Sequence, residues 1–367
     1  MRAYLFIALV AAVVTFLATW LVLKLAHRFK IYPQIRARDA HSIPTPRLGG
    51  IAMMLGFAVA IWVASLLGWF HSVFLDPTKI VTILVCAAAI NLLGFFDDLY
   101  DLDWTLKLAG QFLVAGVLAW QGVQIVSFPI DGLTIGSFGV SLVVTVFITV
   151  LVMNAVNFID GLDGLVAGVV LIGTTVFFFY TYLLTQQTTP TNYFNLATLI
   201  SAGIMGICVG FLPWNWRPAK IFMGDGGALL LGLLMSASAL TVTGQIDPTI
   251  TTKANAVPAF MPLILPLAIL VLPLLDFTLA VLRRLRAGKS PFAADRKHIH
   301  HRLQDFGHSH LGSVLVFYVW SLLLSVTCLL FFLVPAHQVA FFFIPGLLLA
   351  LAYTVWPVLA KRKERTK

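Results

Sequence analysis

Residues 140–164 read VSLVVTVFITVLVMNAVNFIDGLDG, an uncharged hydrophobic run that ends in two aspartates between glycines. About 20 apolar residues in a helix cross the roughly 30 Å hydrocarbon core of a bilayer. Residues 140–159 satisfy that length, and the first acidic side chain is Asp160. This stretch therefore predicts a transmembrane helix whose end carries a pair of carboxylates, and ionisable groups placed in this way usually mark a functional site.

The same hydrophobicity extends over the whole chain of 367 residues. Hydrophobic residues make up 60% of it, charged residues only 11%, and the mean hydropathy is +0.95, values far from those of soluble domains. Because every backbone polar group in lipid needs an internal partner, we predict an all-α, polytopic membrane helical bundle. Eleven candidate spans begin near Tyr4, Gly49, Ile80, Thr105, Val140, Leu165, Phe194, Gly226, Val257, Leu311 and Val339.

The basic residues predict the orientation of the bundle, because loops rich in Lys and Arg stay cytoplasmic. With eleven spans, Arg2, Lys79 and Lys253 alone fall on one side, and the other Lys and Arg residues fall on the opposite side. The N-terminus is therefore expected outside and the C-terminus inside. The net charge of +9 is spread over loops without a nucleic-acid-binding motif, so no nucleic-acid partner is expected, and anionic lipid or substrate phosphate explains it better.

We interpret residues 1–367 as a single integral-membrane domain, since neither an internal repeat nor a soluble domain stands out. The three cysteines lie singly in separate spans, which argues against disulfides and thiolate metal sites. The predicted cytoplasmic loops, which would form the active site, are 27–48, 97–104, 157–164, 214–225 and 283–310.

Three aspartates, Asp97, Asp98 and Asp101, end the third span. On a helix Asp97 and Asp101 are four residues apart, so their like charges would crowd one face, and a cation would relieve the repulsion. A solvated helix end accounts for one such aspartate more easily than for three. The cluster therefore favours a functional site, while Asp103 is explained by solvation alone.

Two further segments carry oxygen ligands. Asn157, Asp160 and Asp163 surround glycines that let backbone approach a ligand closely, and a plain turn would not require them. Asp225 precedes the eighth span, where it could simply cap a helix or could hold a cation that bridges phosphates. Oxygen ligands without cysteine point to Mg²⁺, with Mn²⁺ as a substitute.

The histidine-rich segment from Asp295 to Arg302 leaves several interpretations open. Zinc binding, a pH-sensitive surface and a phosphate clamp are all compatible with its three histidines, and the basic neighbours favour the clamp. Asp276, inside the ninth span, is either functional or paired with a nearby arginine. Prolines 258, 262, 266 and 273 predict a kinked or broken ninth helix.

Four segments together resemble the polyprenyl-phosphate N-acetylhexosamine-1-phosphate transferases, a glycosyltransferase 4 type family. They are Asp97 to Asp101, Asn154 to Leu165, Asn215 to Asp225 and Ser290 to His301, and residues 36–50 fit as well. Their order and spacing agree along nearly the whole chain. The His-Ile-His-His form of residues 298–301 is similar to the WecA/TagO-like branch, which uses UDP-N-acetylglucosamine (UDP-GlcNAc), rather than to the muramoyl-pentapeptide branch.

The resemblance implies transfer of GlcNAc-1-phosphate from UDP-GlcNAc to a polyprenyl phosphate (undecaprenyl or decaprenyl) at the cytoplasmic membrane face, with release of UMP. It also implies residue roles. Asp97, Asp98 and Asp101 would be catalytic, deprotonating or orienting the lipid phosphate. The remaining assignments are Asp225 and Asn157 for Mg²⁺; Asp160, Asp163, Asn215 and Phe222 for the nucleotide; and Arg296, His298, His300, His301, Lys107 and His41 for phosphate and sugar.

Other classes make different demands on the sequence. A polyprenyl-lipid or sugar transporter would place polar residues near the midplane, often in repeated halves, whereas these acids gather at span ends. A scaffold protein would need no cation-binding arrangement. Within enzymes, the phospho-MurNAc-pentapeptide transferases are the nearest alternative. The family branch implies a bacterial plasma membrane; a homodimer is possible, and the polyprenyl length and downstream polymer are undetermined.

Overall fold

A computed structural model describes residues 1–31, 45–125, 127–129, 133–135, 137–188, 195–243, 264, 268, 271–288 and 299–365. We number the elements in chain order. The helices are α1 (Arg2–Phe29), α2 (Gly49–Leu66), a 3-10 helix (Gly68–Phe74), α3 (Thr78–Tyr100), α4 (Trp104–Trp120), α5 (Phe138–Phe158), α6 (Leu165–Thr188), α7 (Leu196–Asn215), α8 (Gly224–Thr243), α9 (Val271–Arg286), α10 (Ile299–Asp305), α11 (His310–Leu333) and α12 (Ala336–Arg365).

The helices confirm the predicted polytopic membrane bundle. Within the described residues, nine helices are long and apolar enough to cross a bilayer, and α4 is a shorter apolar helix. Ten of the predicted starts lie within a few residues of a helix start, and the span predicted from Val257 begins outside the described residues. The total of eleven spans and their orientation stay predictions.

The bundle core is built around α7 and α8. Helix α7 packs against α1, α2 and α6, while α8 packs against α3 and α5. The approach of α7 to α1 depends on small residues, because a Cβ on Gly206 would lie 2.3 Å from the Ala8 carbonyl oxygen. Among the described spans, α8 has the largest buried share, with 89% of its 18-residue hydrophobic stretch buried inside the protein. Helix α8 is therefore surrounded mainly by other helices.

Two local features were not predicted. A short antiparallel hairpin, β1 (Ser127–Pro129) with β2 (Leu133–Ile135), lies between α4 and α5 in the otherwise helical bundle. Asp101 is the C-cap of α3 and not a helical residue, because α3 ends at Tyr100 and Asp101 adopts a left-handed conformation with a φ of 53°. The N–H of Asp101 still donates a hydrogen bond of 2.9 Å to the Asp97 carbonyl.

Asp103 has a capping role rather than solvation alone. Its Oδ1 accepts a hydrogen bond of 2.8 Å from the backbone N–H of Thr105 and another from the Thr105 hydroxyl. Such a cap satisfies an N–H group that the first turn of α4 would otherwise leave unpaired. The same bonds hold the pKa of Asp103 below its usual value. Asp103 thus fixes the start of the helix that carries Lys107.

Candidate active site

Several helix ends converge at one end of the bundle. Asp97 and Asp98 lie at the C-terminal end of α3, and Asp225 lies in the first turn of α8. Lys107 lies in the first turn of α4, and Asn157 in the last turn of α5. Because these neighbouring helices alternate in direction, the ends that the sequence separates by more than 100 residues meet in space.

Glycines allow α3 and α8 to approach closely beside the carboxylates. A Cβ on Gly94 would lie 2.3 Å from the backbone nitrogen of Gly226, and a Cβ on Gly50 of α2 would lie 2.4 Å from that of Gly227. Asn91 of α3 reinforces the contact by donating a hydrogen bond of 3.1 Å from Nδ2 to the Gly226 carbonyl. The backbones of three helices therefore meet directly behind Asp98 and Asp225.

Lys107 joins two of the carboxylates. Its Nζ lies 2.9 Å from Asp97 Oδ2 and also contacts Asp225 Oδ2. The side chains of Lys107 and Asp97 are 18% and 13% exposed, so the pair is shielded from water on most sides and interacts more strongly than a surface pair would. A positive charge thus occupies the position between α3 and α8 at which the two carboxylates meet.

Asp98 lines a small cleft, and one of its two carboxylate oxygens is without a hydrogen-bond partner among the described residues. Its side chain is buried, and within the described part of the chain its Oδ2 has no hydrogen-bond partner. Arg47, Ile51 and Phe95 line the cleft together with Asp98. Because buried carboxylate oxygens are nearly always paired, this oxygen fits a site completed by a donor or a cation from outside the chain.

Asn157 lies beside Asp225. Its Nδ2 is buried, and its amide interacts with the Asp225 carboxylate. The amide oxygen and nitrogen of Asn can be exchanged by rotation about χ2, so this group can present an oxygen ligand instead. Asp225 with Asn157 therefore fits a hard cation such as Mg²⁺.

The donor set also indicates which kind of cation site this can be. Among the described residues, no group of three or more His, Cys, Asp or Glu side chains is arranged to hold a metal. Mg²⁺ commonly takes only one or two carboxylates from the protein and completes its octahedron with substrate phosphates and water. The residues fit that open type of site.

Asp160, in the turn after α5, adds negative charge to the same end of the bundle. Burial, together with the nearby Asp225 carboxylate, raises the pKa of Asp160 to about 7, and Arg47 opposes the shift. Asp97, Asp98, Asp160 and Asp225 therefore share a region in which full ionisation costs free energy. A bound cation would lower that cost.

We expect Asp160→Asn to reduce the pH dependence of stability in the absence of metal. A carboxyl group with a pKa near 7 when folded and near 4 when unfolded loses stabilisation as the pH rises through that window. At pH 4 the wild type and the variant should unfold at similar temperatures in EDTA, and at pH 8 the variant should unfold at the higher temperature. Identical curves at both pH values would contradict the assigned environment.

Asp163 and Asn215 connect two loops within the protein. Asp163 is buried, and its Oδ2 accepts a hydrogen bond of 3.2 Å from the Ala219 N–H. Asn215 Oδ1 accepts one of 3.0 Å from the Gly164 N–H, while its Nδ2 donates one of 3.0 Å to the Ile221 carbonyl. These contacts place loops 157–164 and 214–225 side by side, and nucleotide binding by both residues stays a prediction.

Phe222 lies where loop 214–225 pairs with the start of α2. Its N–H donates to the Pro46 carbonyl, and its carbonyl accepts from the Gly49 N–H, each at 2.9 Å. The Met223 carbonyl accepts from the Gly50 N–H in the same way. This ladder fixes the backbone of Phe222 beside Arg47, while stacking of its ring on uracil stays a prediction.

The basic segment is only partly described. His41, Arg296 and His298 lie outside the described residues, and only the backbone of His300 and His301, within α10, is described. Asp276 of α9 is fully buried and accepts a hydrogen bond of 2.8 Å from the N–H of Ile299, the first residue of α10. Asp276 therefore anchors the helix that carries two of the predicted phosphate-binding histidines.

The sequence interpretation did not identify several residues around the site, among them Arg47, Asn91 and Gln111. Asn154 donates a 2.5 Å hydrogen bond to Gln111 Oε1, which joins α5 to α4 one turn from Asn157 and Lys107. A buried polar residue in a membrane span was the available signal for both Asn91 and Gln111. Arg47 lies within the predicted active-site loop 27–48, but nothing in the sequence distinguishes it from the other basic residues of that loop.

Comparisons with known proteins agree with this geometry. A family model described as Glycosyl transferase family 4 matches residues 80–243. The chain is 38% identical over 326 residues to the decaprenyl-phosphate N-acetylglucosaminephosphotransferase of Mycobacterium leprae, covering 87% of this chain and 81% of that protein. It is 32% identical to the probable undecaprenyl-phosphate N-acetylglucosaminyl 1-phosphate transferase of Bacillus subtilis, covering 88% and 83%. A phospho-N-acetylmuramoyl-pentapeptide-transferase of Desulforudis audaxviator is 29% identical, covering 87% and 96%.

The multi-pass bundle, the charged helix ends and these matches define a membrane transferase of glycosyl transferase family 4. More narrowly, the chain belongs to the polyprenyl-phosphate N-acetylhexosamine-1-phosphate transferases, as its four motifs predicted. The family model covers α3 to α8, the elements that contribute Asp97, Lys107, Asn157 and Asp225.

Proposed function

We propose that the protein transfers GlcNAc-1-phosphate from UDP-GlcNAc to a polyprenyl phosphate, giving polyprenyl-diphosphate-GlcNAc and UMP. The reaction would take place at the cytoplasmic face of a bacterial plasma membrane, as the first lipid-linked step of an envelope glycan. The observation that carries the proposal is the cluster of Lys107, Asp97 and Asp225 beside the unpaired Asp98 oxygen. The names of two relatives contain a polyprenyl phosphate and N-acetylglucosamine phosphate transfer, which supports the acceptor and the transferred group.

The reaction joins two anions, so the main task of the protein is to overcome their repulsion. The acceptor phosphate carries its own negative charge and needs little activation once it is positioned. Lys107 and Arg47 supply positive charge at the junction of α2, α3, α4 and α8. Fixed charges in a partly buried site stabilise the transition state without reorganising during the reaction.

The roles of the acidic residues follow from their environments. Asp97 is engaged by Lys107 and orients its ammonium group. Asp98 lines the cleft, and its buried Oδ2 lacks a hydrogen-bond partner among the described residues, so it is the better candidate to accept a proton from, or to orient, the polyprenyl phosphate. Asp225 and Asn157 would hold Mg²⁺, which supplies charge neutralisation on the diphosphate of the donor. Mn²⁺ could substitute for it.

A second candidate is transfer of phospho-MurNAc-pentapeptide. The match to the Desulforudis audaxviator protein covers 96% of that relative, so the overall fold does not separate the two branches. The lower identity, 29% against 38% for the Mycobacterium leprae protein, favours UDP-GlcNAc. Both reactions would use the same carboxylates and differ in the sugar-binding part of the site.

Donor choice tests the proposal. The purified protein would be incubated with undecaprenyl or decaprenyl phosphate, Mg²⁺ and either UDP-GlcNAc or UDP-MurNAc-pentapeptide, and the lipid product identified by mass. We expect a lipid diphosphate carrying one N-acetylhexosamine. Product from the pentapeptide donor alone would move the protein to the sister branch, and no product from either donor would favour a transporter.

A further inference from the structure

The backbone of Gly164 is held on both sides by side chains from other helices. Its N–H donates to Asn215 Oδ1 of α7 at 3.0 Å. Its carbonyl accepts a hydrogen bond of 2.5 Å from the Tyr318 hydroxyl of α11, as well as one of 3.1 Å from the Gly168 N–H. Gly164 has a φ of 75°, a conformation that favours glycine. One peptide position thus connects α6, α7 and α11.

The fit of Tyr318 depends on the surface of α6. A Cβ on Gly168 would lie 1.9 Å from the Tyr318 hydroxyl oxygen and 2.0 Å from its Cζ. Glycine at this position therefore leaves the space that the phenol ring fills. A larger residue at position 168 would keep the Tyr318 hydroxyl from reaching the Gly164 carbonyl. The hydrogen bond therefore depends on the close packing of α6 against α11 at this glycine.

Gly164 is the last residue of the turn that carries the acidic groups. It directly follows Asp163, which is bonded to Ala219, and the turn begins beside Asn157 and Asp160. Helix α11 starts at His310, close in sequence after α10 with His300 and His301. Tyr318 therefore links the turn to the helix that follows the basic segment.

We propose that Tyr318 is a positioning residue for the donor half of the site, holding the turn 159–164 in the conformation that binds the nucleotide. This inference rests on the proposed function. Without the hydroxyl, the turn keeps Asn215 as its side-chain clamp on Gly164 but loses the anchor on α11. The turn then adopts the nucleotide-binding conformation in a smaller fraction of the molecules. The apparent affinity for the donor falls in proportion to that fraction.

The test is Tyr318→Phe, which keeps the ring and removes only the hydroxyl. We expect the KM for UDP-GlcNAc and the Kd for UMP to rise about fivefold, the size expected for one lost hydrogen bond. The KM for polyprenyl phosphate should change less than twofold. Hydrogen exchange should become faster in peptides covering residues 159–168. The matched control is Tyr182→Phe, also a loss of one hydroxyl, near the opposite end of α6, where the N-terminal amine contacts it.

Several outcomes would overturn the inference. They are unchanged exchange in residues 159–168, an equal rise in both KM values, or the same effect from Tyr182→Phe. The exchange measurement needs no substrate, so it separates this inference from the proposed function. Faster exchange in the variant together with a wild type that is silent with UDP-GlcNAc would support Tyr318 as the anchor of the turn and refute the assigned donor.

Discussion

Asp225→Asn is expected to lower GlcNAc-1-phosphate transfer by at least about a hundredfold while the protein still inserts and purifies normally. The substitution keeps the size of the side chain and removes the charge that faces Lys107 and Asn157. It therefore removes the negative charge of the proposed cation ligand without opening a cavity. Asp98→Asn should cause a loss of similar size, because it removes the negative charge of the buried side chain that lines the cleft.

The measurement is initial turnover in detergent at saturating UDP-GlcNAc, with thermal unfolding of each variant recorded in parallel. Asp103→Asn is the matched control, since it makes the same chemical change nearby and Asn is as good a helix cap as Asp. It should retain wild-type turnover. Full activity in Asp225→Asn and Asp98→Asn would refute the assignment of the site.

Gly94→Ala should also lower turnover by about a hundredfold, although residue 94 contacts no substrate in this account. The new Cβ would lie 2.3 Å from the Gly226 nitrogen and 2.5 Å from the Asp225 carbonyl carbon. Backbone atoms cannot rotate away, so α3 and α8 must separate. A displacement of about 1 Å between catalytic groups is enough to cost on the order of a hundredfold in rate.

The control for this prediction is Gly116→Ala in α4, where an added Cβ would meet nothing within 4 Å. This variant should keep its turnover and become slightly more stable, since Ala favours a helix. In Gly94→Ala we also expect a lower unfolding temperature. Wild-type turnover and stability in Gly94→Ala would show that α3 and α8 do not approach each other as described.

The sequence predicted the membrane bundle well because its signal is local. A run such as residues 140–159 needs only its own length and hydropathy to predict a span, and the helix Phe138–Phe158 follows it closely. The hairpin between α4 and α5 escaped prediction because each strand is only three residues long. That Asp101 caps α3 instead of continuing it was not predicted, because the end of the helix depends on the left-handed conformation of this residue.

The sequence predicted individual residues of the candidate site but not the hydrogen bonds that connect distant parts of it. The acidic motifs singled out Asp97 and Asp225, the family resemblance added Lys107, and the structure brings these three together. The sequence could not show that Asn215 bonds to Gly164, or that Tyr318 reaches the same glycine across 154 positions. Such contacts depend on how distant helices pack, and neither a tyrosine nor a glycine in an apolar span carries a local signal for them.

The most direct test of the central claim is UMP release by the purified wild-type protein, supplied with UDP-GlcNAc and a polyprenyl phosphate, first with Mg²⁺ and then with EDTA. The account predicts release that requires the lipid, stops with EDTA and returns when Mg²⁺ is restored in excess. UMP release that continues undiminished in EDTA, or no release in the presence of all three components, would contradict it.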